Sequence, residues 1–355
     1  MQNYKDIENF IKGKKVFCGI DMHLKFWVVC FYCDGEVVEK SRIDLGYSGL
    51  LAHLKRYKGA RLVRIVYEAG YSGFWLYRKL LADGYECMVT PPALVPRSAS
   101  KVKTDKRDAL KLASYLAAGI LKRVYVPPAA LESDRRVVRR RAQLVKKQTR
   151  SKNEIKAFLH LHGIEKPSDI KTYWTIAYLG WLRSLKFSSG SDQFTFAQLL
   201  KHYQMIHEDL KEVNDYLMGL SRDRRYGVNY QRLTSLRGIG LITAMTYLLE
   251  LGDFERFKNS KCFSSFLGFT PAQHSSGESI HLGRISRQGN AHLRRVLVES
   301  AWTVIKHDPH LRDKYNRIRA RGTNGKKAIV AVARSLAVRL RRCLLDETDY
   351  VIGLS

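Results

Sequence analysis

Short apolar runs separated by turn residues predict strands over the first part of the chain. The segments VFCGID, FWVVCFYC and EVVEKSRI lie between residues 16 and 43, and the tight-turn pair Asp34-Gly35 joins the last two. This arrangement predicts a β-meander, because Asp-Gly readily adopts the turn that connects adjacent antiparallel strands. LVRIVYEA and YECMVT predict two further strands.

Helical patterns alternate with the later strands. A helix is predicted near residues 47–57, and FWLYRKLLADG predicts another that ends at Gly84. DALKLASYLAAG predicts a third helix, which opens at Thr104-Asp105 and ends at Gly119. The alternation of strands and helices predicts an α/β domain over residues 1–126.

A region of different composition begins at Pro127-Pro128, and we interpret residues 127–230 as a basic, helical coiled-coil region. Residues 135–156 hold ten Lys or Arg and one acid, which is typical of a basic helix. A second helix has apolar residues at alternating spacings of three and four, the seam of a coiled coil. These residues are Phe196, Leu199, Tyr203, Ile206, Leu210, Val213, Leu217 and Leu220. The two helices form either an antiparallel pair or part of a larger bundle.

The remaining residues, 231–355, predict a mainly α C-terminal domain. Gly238 and Gly240 in LRGIGLITA stand between two helical patterns and resemble a helix-hairpin-helix, in which backbone N–H groups hold a phosphate. An ordinary tight connection between helices is the alternative. A polar segment over residues 270–290 follows, and then AHLRRVLVESAWTVI and KKAIVAVARSLAVRLRRCLL predict two more helices.

The charge of the chain indicates a polyanionic partner. It has 62 Lys and Arg against 33 Asp and Glu, a net charge of +29, which favours nucleic acid over a membrane surface but does not separate DNA from RNA. Several arginines are candidate phosphate-binding residues, with solvated surface as the alternative. They are Arg139, Arg140, Arg284, Arg287, Arg294 and Arg295.

The chain shows no signal peptide and no apolar run long enough to cross a membrane, so we expect a cytoplasmic, nucleoid-associated protein without a membrane partner. Cys30 and Cys33 form a lone CxxC in a predicted strand, where positions three apart point to opposite faces. The sequence therefore favours structural thiols over a zinc site.

Four acids form the candidate active site. Asp21 and Glu68 each end a predicted strand, and their carboxylates meet at one sheet edge if the strands are neighbours. Asp105 and Asp108 are three apart at a helix start and share one face. Two Mg²⁺ ions about 4 Å apart, or Mn²⁺ in their place, can be held by such carboxylates and assist phosphodiester chemistry. The alternative is that each acid is structural and that the helical pair complements the helix N-terminus.

These motifs resemble a known family. GIDMHLK with Asp21, VYEAGYSG with Glu68 and KTDKRDALKLA with Asp105 and Asp108 are similar to the DEDD transposases of the IS110 and IS1111 insertion-sequence group. LRGIGLITA, FSSFLGFTP, SSGES and RISRQGNAHLRRVL continue the resemblance in the same order. The resemblance implies a RuvC-like, RNase H-type N-terminal domain, a C-terminal transposase domain, and a guide called bridge RNA.

The resemblance also implies a divided active site. Ser276 is its nucleophile, supplied by the C-terminal domain of another subunit, and it forms a covalent phosphoserine with DNA. Ser275 and Ser279 are close enough that a short misalignment would exchange them for Ser276. A homo-oligomer, dimer or tetramer, follows from this sharing, and the heptad seam is a candidate for holding it together.

The sequence is compatible with three functions. The first is a bridge-RNA-guided, metal-dependent serine recombinase that excises and inserts a mobile element. The second is a RuvC-type junction endonuclease that uses water, and the second half of the chain argues against it. The third is a non-catalytic nucleic-acid-binding protein whose acids are structural.

Overall fold

A computed structural model describes the backbone of residues 4–44, 46–96, 105–276, 279–286 and 288–352. It describes the side chains of residues 7–44, 46–96, 107–271, 285–286 and 288–352. The chain divides into two compact units, Met1–Val126 and Pro127–Ser355.

The first unit is built on a mixed five-stranded sheet with the order β3-β2-β1-β4-β5. Its strands are β1 (Lys15–Met22), β2 (Phe26–Cys33), β3 (Glu36–Asp44), β4 (Leu62–Glu68) and β5 (Glu86–Thr90). β1, β2 and β3 pair antiparallel, whereas β4 pairs parallel with both β1 and β5. Asp34 (φ 48°) and Gly35 (φ 90°) make the turn between β2 and β3, as the Asp-Gly pair predicts.

Four α-helices accompany this sheet in the described part of the unit. They are α1 (Tyr4–Ile11), α2 (Tyr47–Lys55), α3 (Trp75–Ala82) and α4 (Asp105–Ala117). The strands predicted in this region are present, and α2, α3 and α4 correspond to the three predicted helices. α1 was not predicted from the sequence. The mixed sheet with helices is consistent with an RNase H-like domain.

Side-chain alternation divides the core of the first unit between the two faces of the sheet. Ile20 and Tyr67 belong to the larger core cluster, which also holds residues of α1, α2 and α3. Val66 packs instead with Leu112 and Leu116 of α4 on the other face. One face of the sheet is therefore covered largely by α4.

The two cysteines of the CxxC lie on different faces, as alternation predicts. Cys33 belongs to the larger cluster, whereas Cys30 packs with Val28 and Ala109 on the side of α4. Both thiols are free and buried, and burial raises the pKa of Cys30 to about 11. A protonated, buried thiol packs as a small apolar group.

The second unit is mostly helical. Its elements are α5 (Ala129–Leu161), α6 (Ile176–Ser184), α7 (Gly190–Ser221), α8 (Gly227–Thr234), α9 (Leu241–Leu251), α10 (Ser260–Leu267), β6 (Pro271–Ser276), β7 (Ser279–Ile285), α11 (Ala291–Val304), α12 (Pro309–Ala320) and α13 (Gly325–Leu345). One core cluster joins Val138 of α5 and Leu217 of α7 to Leu249 and Leu336. The predicted boundary at residue 230 therefore lies inside this unit.

The predicted basic helix and seam helix are α5 and α7, and they run antiparallel. Val138 near the start of α5 packs with Leu217 near the end of α7, whereas Ile155 near the end of α5 packs with Phe196 near the start of α7. The seam of α7 is thereby buried inside the chain. The apolar side chains of the seam, a candidate oligomer contact from sequence, pack instead against α5 of the same chain.

No helix in the described residues is both long enough and apolar enough to span a bilayer.

Candidate active site

Asp21 and Glu68 occupy neighbouring positions at the same edge of the sheet. β1 and β4 are parallel neighbours, and their register pairs Ile20 with Tyr67, so Asp21 and Glu68 are the next residues along the two strands. Ile20 and Tyr67 point into the larger core cluster. Alternation therefore directs both carboxylates to the opposite face, which is the face covered by α4.

A glycine lets α4 lie directly on β1. A Cβ atom at Gly19 would overlap the carbonyl oxygen of Ala109 and would lie 2.6 Å from the backbone nitrogen of Ala113. Both are backbone atoms, so the helix would have to move to make room for any side chain. Sequence reasoning missed this role of Gly19, although a glycine two residues before Asp21 was visible in the segment VFCGID.

This contact brings the start of α4 to the two strand ends. Ala109 packs with Val28 of β2, and Val28 is paired with Asp21. Asp108 directly precedes Ala109 and is half-buried. Asp105 begins α4 one turn earlier, and its side chain lies outside the described residues, as does all of Thr104. The structure thus brings Asp21, Glu68 and the acid-bearing end of α4 to one region.

His23 and Tyr71 also approach Asp21, and sequence reasoning named neither. His23 Nε2 lies 3.0 Å from Asp21 Oδ2, which links the carboxylate to the residue two positions further along the chain. The pKa of Tyr71 is raised by burial and then by the charge of Asp21, although the side chain is largely exposed. Both residues are candidates for orienting Asp21 or a bound phosphate.

The chemistry of the acids fits a hard divalent cation, because Mg²⁺ prefers carboxylate oxygens. Among the side chains that the structure describes, no three His, Cys, Asp or Glu residues are close enough to form a preassembled metal centre. The side chain of Asp105 is not among those that the structure describes. Glu68 is exposed and Asp108 is half-buried.

Ser276 is the last residue of strand β6 in a β-hairpin. It pairs with Ser279, the first residue of β7, and Ser275 pairs with Ile280. The hairpin was missed by sequence reasoning, which described this segment only as polar, because HSSGESIHL offers little apolar alternation. The side chains of Ser275, Ser276 and Ser279 lie outside the described residues.

The two candidate glycines of the helix connection differ in their surroundings. Gly238 has φ +104°, and a Cβ there would lie 2.9 Å from Val304 Cγ2, so this glycine is required for packing against α11. Gly240 is the exposed N-cap of α9 with open space around it. Phosphate binding at this connection stays a prediction, and Gly240 is the position with room for it.

Two of the candidate phosphate-binding arginines on α5 have partners inside the protein. Arg139 donates to Glu250 through Nε (2.6 Å) and one terminal nitrogen (2.8 Å). Arg140 donates to Asp209 of α7 at 3.2 Å. These bonds give both side chains a structural role, and their binding to nucleic acid stays a prediction.

Two other candidate arginines, Arg294 and Arg295, lie in α11. Arg294 donates to the carbonyl oxygen of Leu267 at 2.9 Å. Arg295 is half-buried. The pKa of Arg141 is lowered first by the burial of Arg141 and then by the charge of Arg295. The side chain of Arg284 and all of Arg287 lie outside the described residues.

Glu250 ties three helices together. It accepts hydrogen bonds from Arg139 of α5 and from Asn290 Nδ2 at 2.7 Å, while Asn290 Oδ1 caps the start of α11. Burial alone would raise the pKa of Glu250, but the hydrogen bonds from Arg139 and Asn290 and the charges of Arg139 and Arg135 together outweigh burial, so the pKa is lowered. Sequence reasoning missed Glu250, because a single acid in an apolar helix has no partner that spacing reveals.

We expect Glu250→Gln to lower the free energy of unfolding by about 2 kcal/mol at pH 7, since a neutral amide loses the charge-assisted hydrogen bonds from Arg139, whose side chain is partly solvated. Because the folded pKa is depressed, this contribution is present above the unfolded value of Glu and is lost as pH falls through the folded pKa. Urea unfolding at pH 7 and pH 3 measures both effects. The exposed Glu255→Gln is the control, and equal losses in the two variants would contradict the role of Glu250.

Two transposase family models match this chain, one in each half. The DEDD transposase model of the IS110 type matches residues 18–164, which include Asp21, Glu68, Asp105 and Asp108. A second model, described as "Transposase IS116/IS110/IS902 family", matches residues 230–316, which include Ser276.

Complete proteins are similar along most of the chain. A putative transposase of Sinorhizobium fredii is 30% identical over 86% of this chain and 81% of its own length. The transposase for insertion sequence element IS1533 of Leptospira borgpetersenii is 27% identical over 93% and 95% of the two chains. The transposase for insertion sequence element IS1111A of Coxiella burnetii is 26% identical over 96% and 90%. The chain therefore belongs to the IS110/IS116 family of DEDD transposases.

Proposed function

We propose that this transposase cleaves and rejoins DNA to excise and insert a mobile element, with its acids and Ser276 as two halves of one active site. Membership of the family implies DNA binding, DNA cleavage and strand transfer. The observation that carries the proposal is the meeting of Asp21, Glu68 and the start of α4 at one sheet edge. A protein that only binds nucleic acid would not need a group of acids, because carboxylates repel phosphate and the rest of this chain, with a net charge of +29, attracts it.

Asp21, Glu68, Asp105 and Asp108 are the residues that would hold divalent ions, and DEDD transposases generally use such ions. Bound Mg²⁺, as one or two ions with Mn²⁺ as a substitute, would polarise the phosphate and lower the pKa of a nearby hydroxyl. The role of the protein is to present oxygen donors from two rigid strands and one helix. His23, 3.0 Å from Asp21, helps to orient that carboxylate.

Ser276 is proposed as the nucleophile. Its Oγ forms a bond to a DNA phosphorus while the bond from that phosphorus to one DNA oxygen breaks. The serine proton passes to a base or water, and the departing DNA oxygen gains a proton. The phosphoserine keeps a phosphate ester in place of the broken one, so a DNA hydroxyl can reverse the step and rejoin strands without another energy source.

The proposal includes a homo-oligomer and a guide RNA, both of which rest on the family resemblance. Sharing a serine between subunits requires at least two copies of the chain, dimer or tetramer. The net charge of +29 provides capacity for binding RNA together with DNA. A discrete RNA that copurifies with the protein and is required for cleavage would support guidance, and full activity after ribonuclease treatment would contradict it.

The nucleophile is tested on a denaturing gel with labelled element-end DNA, the copurified RNA and Mg²⁺. We expect a protein–DNA adduct with the parent protein and none with Ser276→Ala, because alanine has no hydroxyl to attack phosphorus. Ser275→Ala and Ser279→Ala are matched controls that should retain the adduct. Cleavage that persists in Ser276→Ala with free phosphate ends would favour the water-using nuclease instead.

A further inference from the structure

A basic cavity of about 580 Å³ lies in the second unit between α10, α12 and α13. Four cationic side chains and three serine hydroxyls line it. The cations are Lys314, Arg317, Arg334 and Arg339, and the hydroxyls belong to Ser260, Ser264 and Ser335. None of the described residues that line the cavity is one of those proposed for the chemistry.

Three of these four cations lack an acidic partner among the described residues. Arg339 is the exception, because it donates to Asp308 Oδ2 at 2.9 Å. Lys314 donates to the hydroxyl of Ser335, and Arg334 donates to the hydroxyl of Ser264 at 3.1 Å. A hydroxyl satisfies a donor but does not neutralise its charge.

Arg317 has neither an ion pair nor a hydrogen bond among the described residues, and its side chain is exposed at the cavity. Lys314 is half-buried, and burial followed by the charges of Arg334, Arg339 and Arg317 lowers its pKa. The cavity therefore concentrates like charges that repel one another. A bound anion would relieve this repulsion, and the serine hydroxyls would donate to its remaining oxygens.

The lining also indicates which part of a nucleic acid would enter. Among the described residues that line the cavity there is no Phe, Tyr or Trp, and the imidazole of His310 is the one aromatic ring, so the surface on which a base could stack is small. Guanidinium and ammonium groups match phosphate oxygens instead. Contacts of this kind fix the position of a strand without reading its sequence.

We infer that this cavity binds a backbone phosphate of the nucleic acid on which the transposase acts, and that Lys314, Arg317 and Arg334 hold it. The inference rests on the proposed function only in assuming that DNA or guide RNA is bound. DNA and RNA share the phosphodiester group, so the experiment includes one probe of each.

Arg317→Gln and Arg321→Gln form the matched pair for the test. Both remove one charge at the end of α12, but Arg321 does not line the cavity. Binding is measured without divalent ions, so that no chemistry occurs, to labelled element-end duplex DNA and to a single-stranded RNA of equal length. Each affinity is measured over a series of salt concentrations.

We expect Arg317→Gln to weaken binding about fivefold at 0.15 M salt and to reduce the slope of log K against log salt by about 1. Arg321→Gln should retain the slope of the parent protein. A change confined to one probe identifies DNA or RNA as the source of the phosphate. Equal slopes for the two variants with both probes would overturn the inference.

Lys314→Gln provides a second measurement. It should reduce the salt slope in the same way and should leave the melting temperature of the free protein unchanged or higher, because it removes a crowded charge. A lower melting temperature with an unchanged slope would mean that Lys314 only supports the fold, against the inference. The denaturing gel tests the catalytic proposal separately. If the salt slope changed in these variants but the parent protein formed no DNA adduct, the catalytic proposal would be contradicted and the phosphate site would not.

Discussion

Asp21→Asn is expected to reduce DNA cleavage and adduct formation by about 10²–10³-fold while the protein stays folded. Asparagine has nearly the same shape but no negative charge, and a neutral amide is a much weaker partner for a divalent ion. The side chain of Asp21 is 24% exposed, so the substitution neither empties the core nor buries an unpaired charge. Glu68→Gln should act in the same direction, because Glu68 is the neighbouring position on β4.

Asp44→Asn is the control for this prediction. Asp44 is an exposed acid at the end of β3 in the same unit, so its substitution changes the net charge equally. Cleavage is measured by single-turnover kinetics over a range of Mg²⁺ concentrations, and folding is measured by thermal unfolding. If Asp21→Asn cleaved as fast as Asp44→Asn at saturating Mg²⁺, Asp21 would not belong to the active site.

Gly19→Ala is expected to destabilise the first unit by about 3 kcal/mol and to abolish cleavage. The added methyl group would overlap the backbone oxygen of Ala109. Because the clash is with the backbone of α4, a change of side-chain conformation on that helix cannot relieve it. The helix must move away from β1, and it carries Asp105 and Asp108 with it. Urea unfolding measures the first effect, and the DNA gel measures the second.

Gly49→Ala is the matched control, because Gly49 lies inside α2 with its nearest neighbour, the carbonyl oxygen of Asp44, 3.7 Å from a built Cβ. Alanine there should keep or raise stability by up to about 1 kcal/mol, since it is a better helix former than glycine. A Gly19→Ala variant as stable and active as Gly49→Ala would show that α4 does not need close contact with β1.

The strands and most helices could be predicted from local patterns. The Asp34-Gly35 turn is one example, because its two positive φ angles depend on the residues at the turn itself. The packing of α5 against α7 follows in the same way from one apolar stripe on each helix, although the stripes do not fix the relative direction of the two helices. The β6–β7 hairpin escaped prediction, since its polar residues do not show which face packs inward.

The candidate site, like the fold, could be predicted from the sequence only in part. Strand ends and a helix start identified Asp21, Glu68, Asp105 and Asp108 as candidates, because those positions depend on short-range sequence. Their convergence required the parallel pairing of β1 with β4 and the packing of α4 on Gly19, which are long-range contacts. Spacing along the chain carries no information about such contacts.

The sequence by itself determined the periodicity of the elements, the excess of basic residues and the motifs that identify an IS110/IS116-family transposase. The tertiary structure alone decided which charges are neutralised inside the protein. Arg139 is held by Glu250 across more than a hundred residues, whereas Arg317 lines a cavity without an acidic partner among the described residues. The physical reason is that a charge is compensated by neighbours in space, and folding rather than sequence order chooses those neighbours.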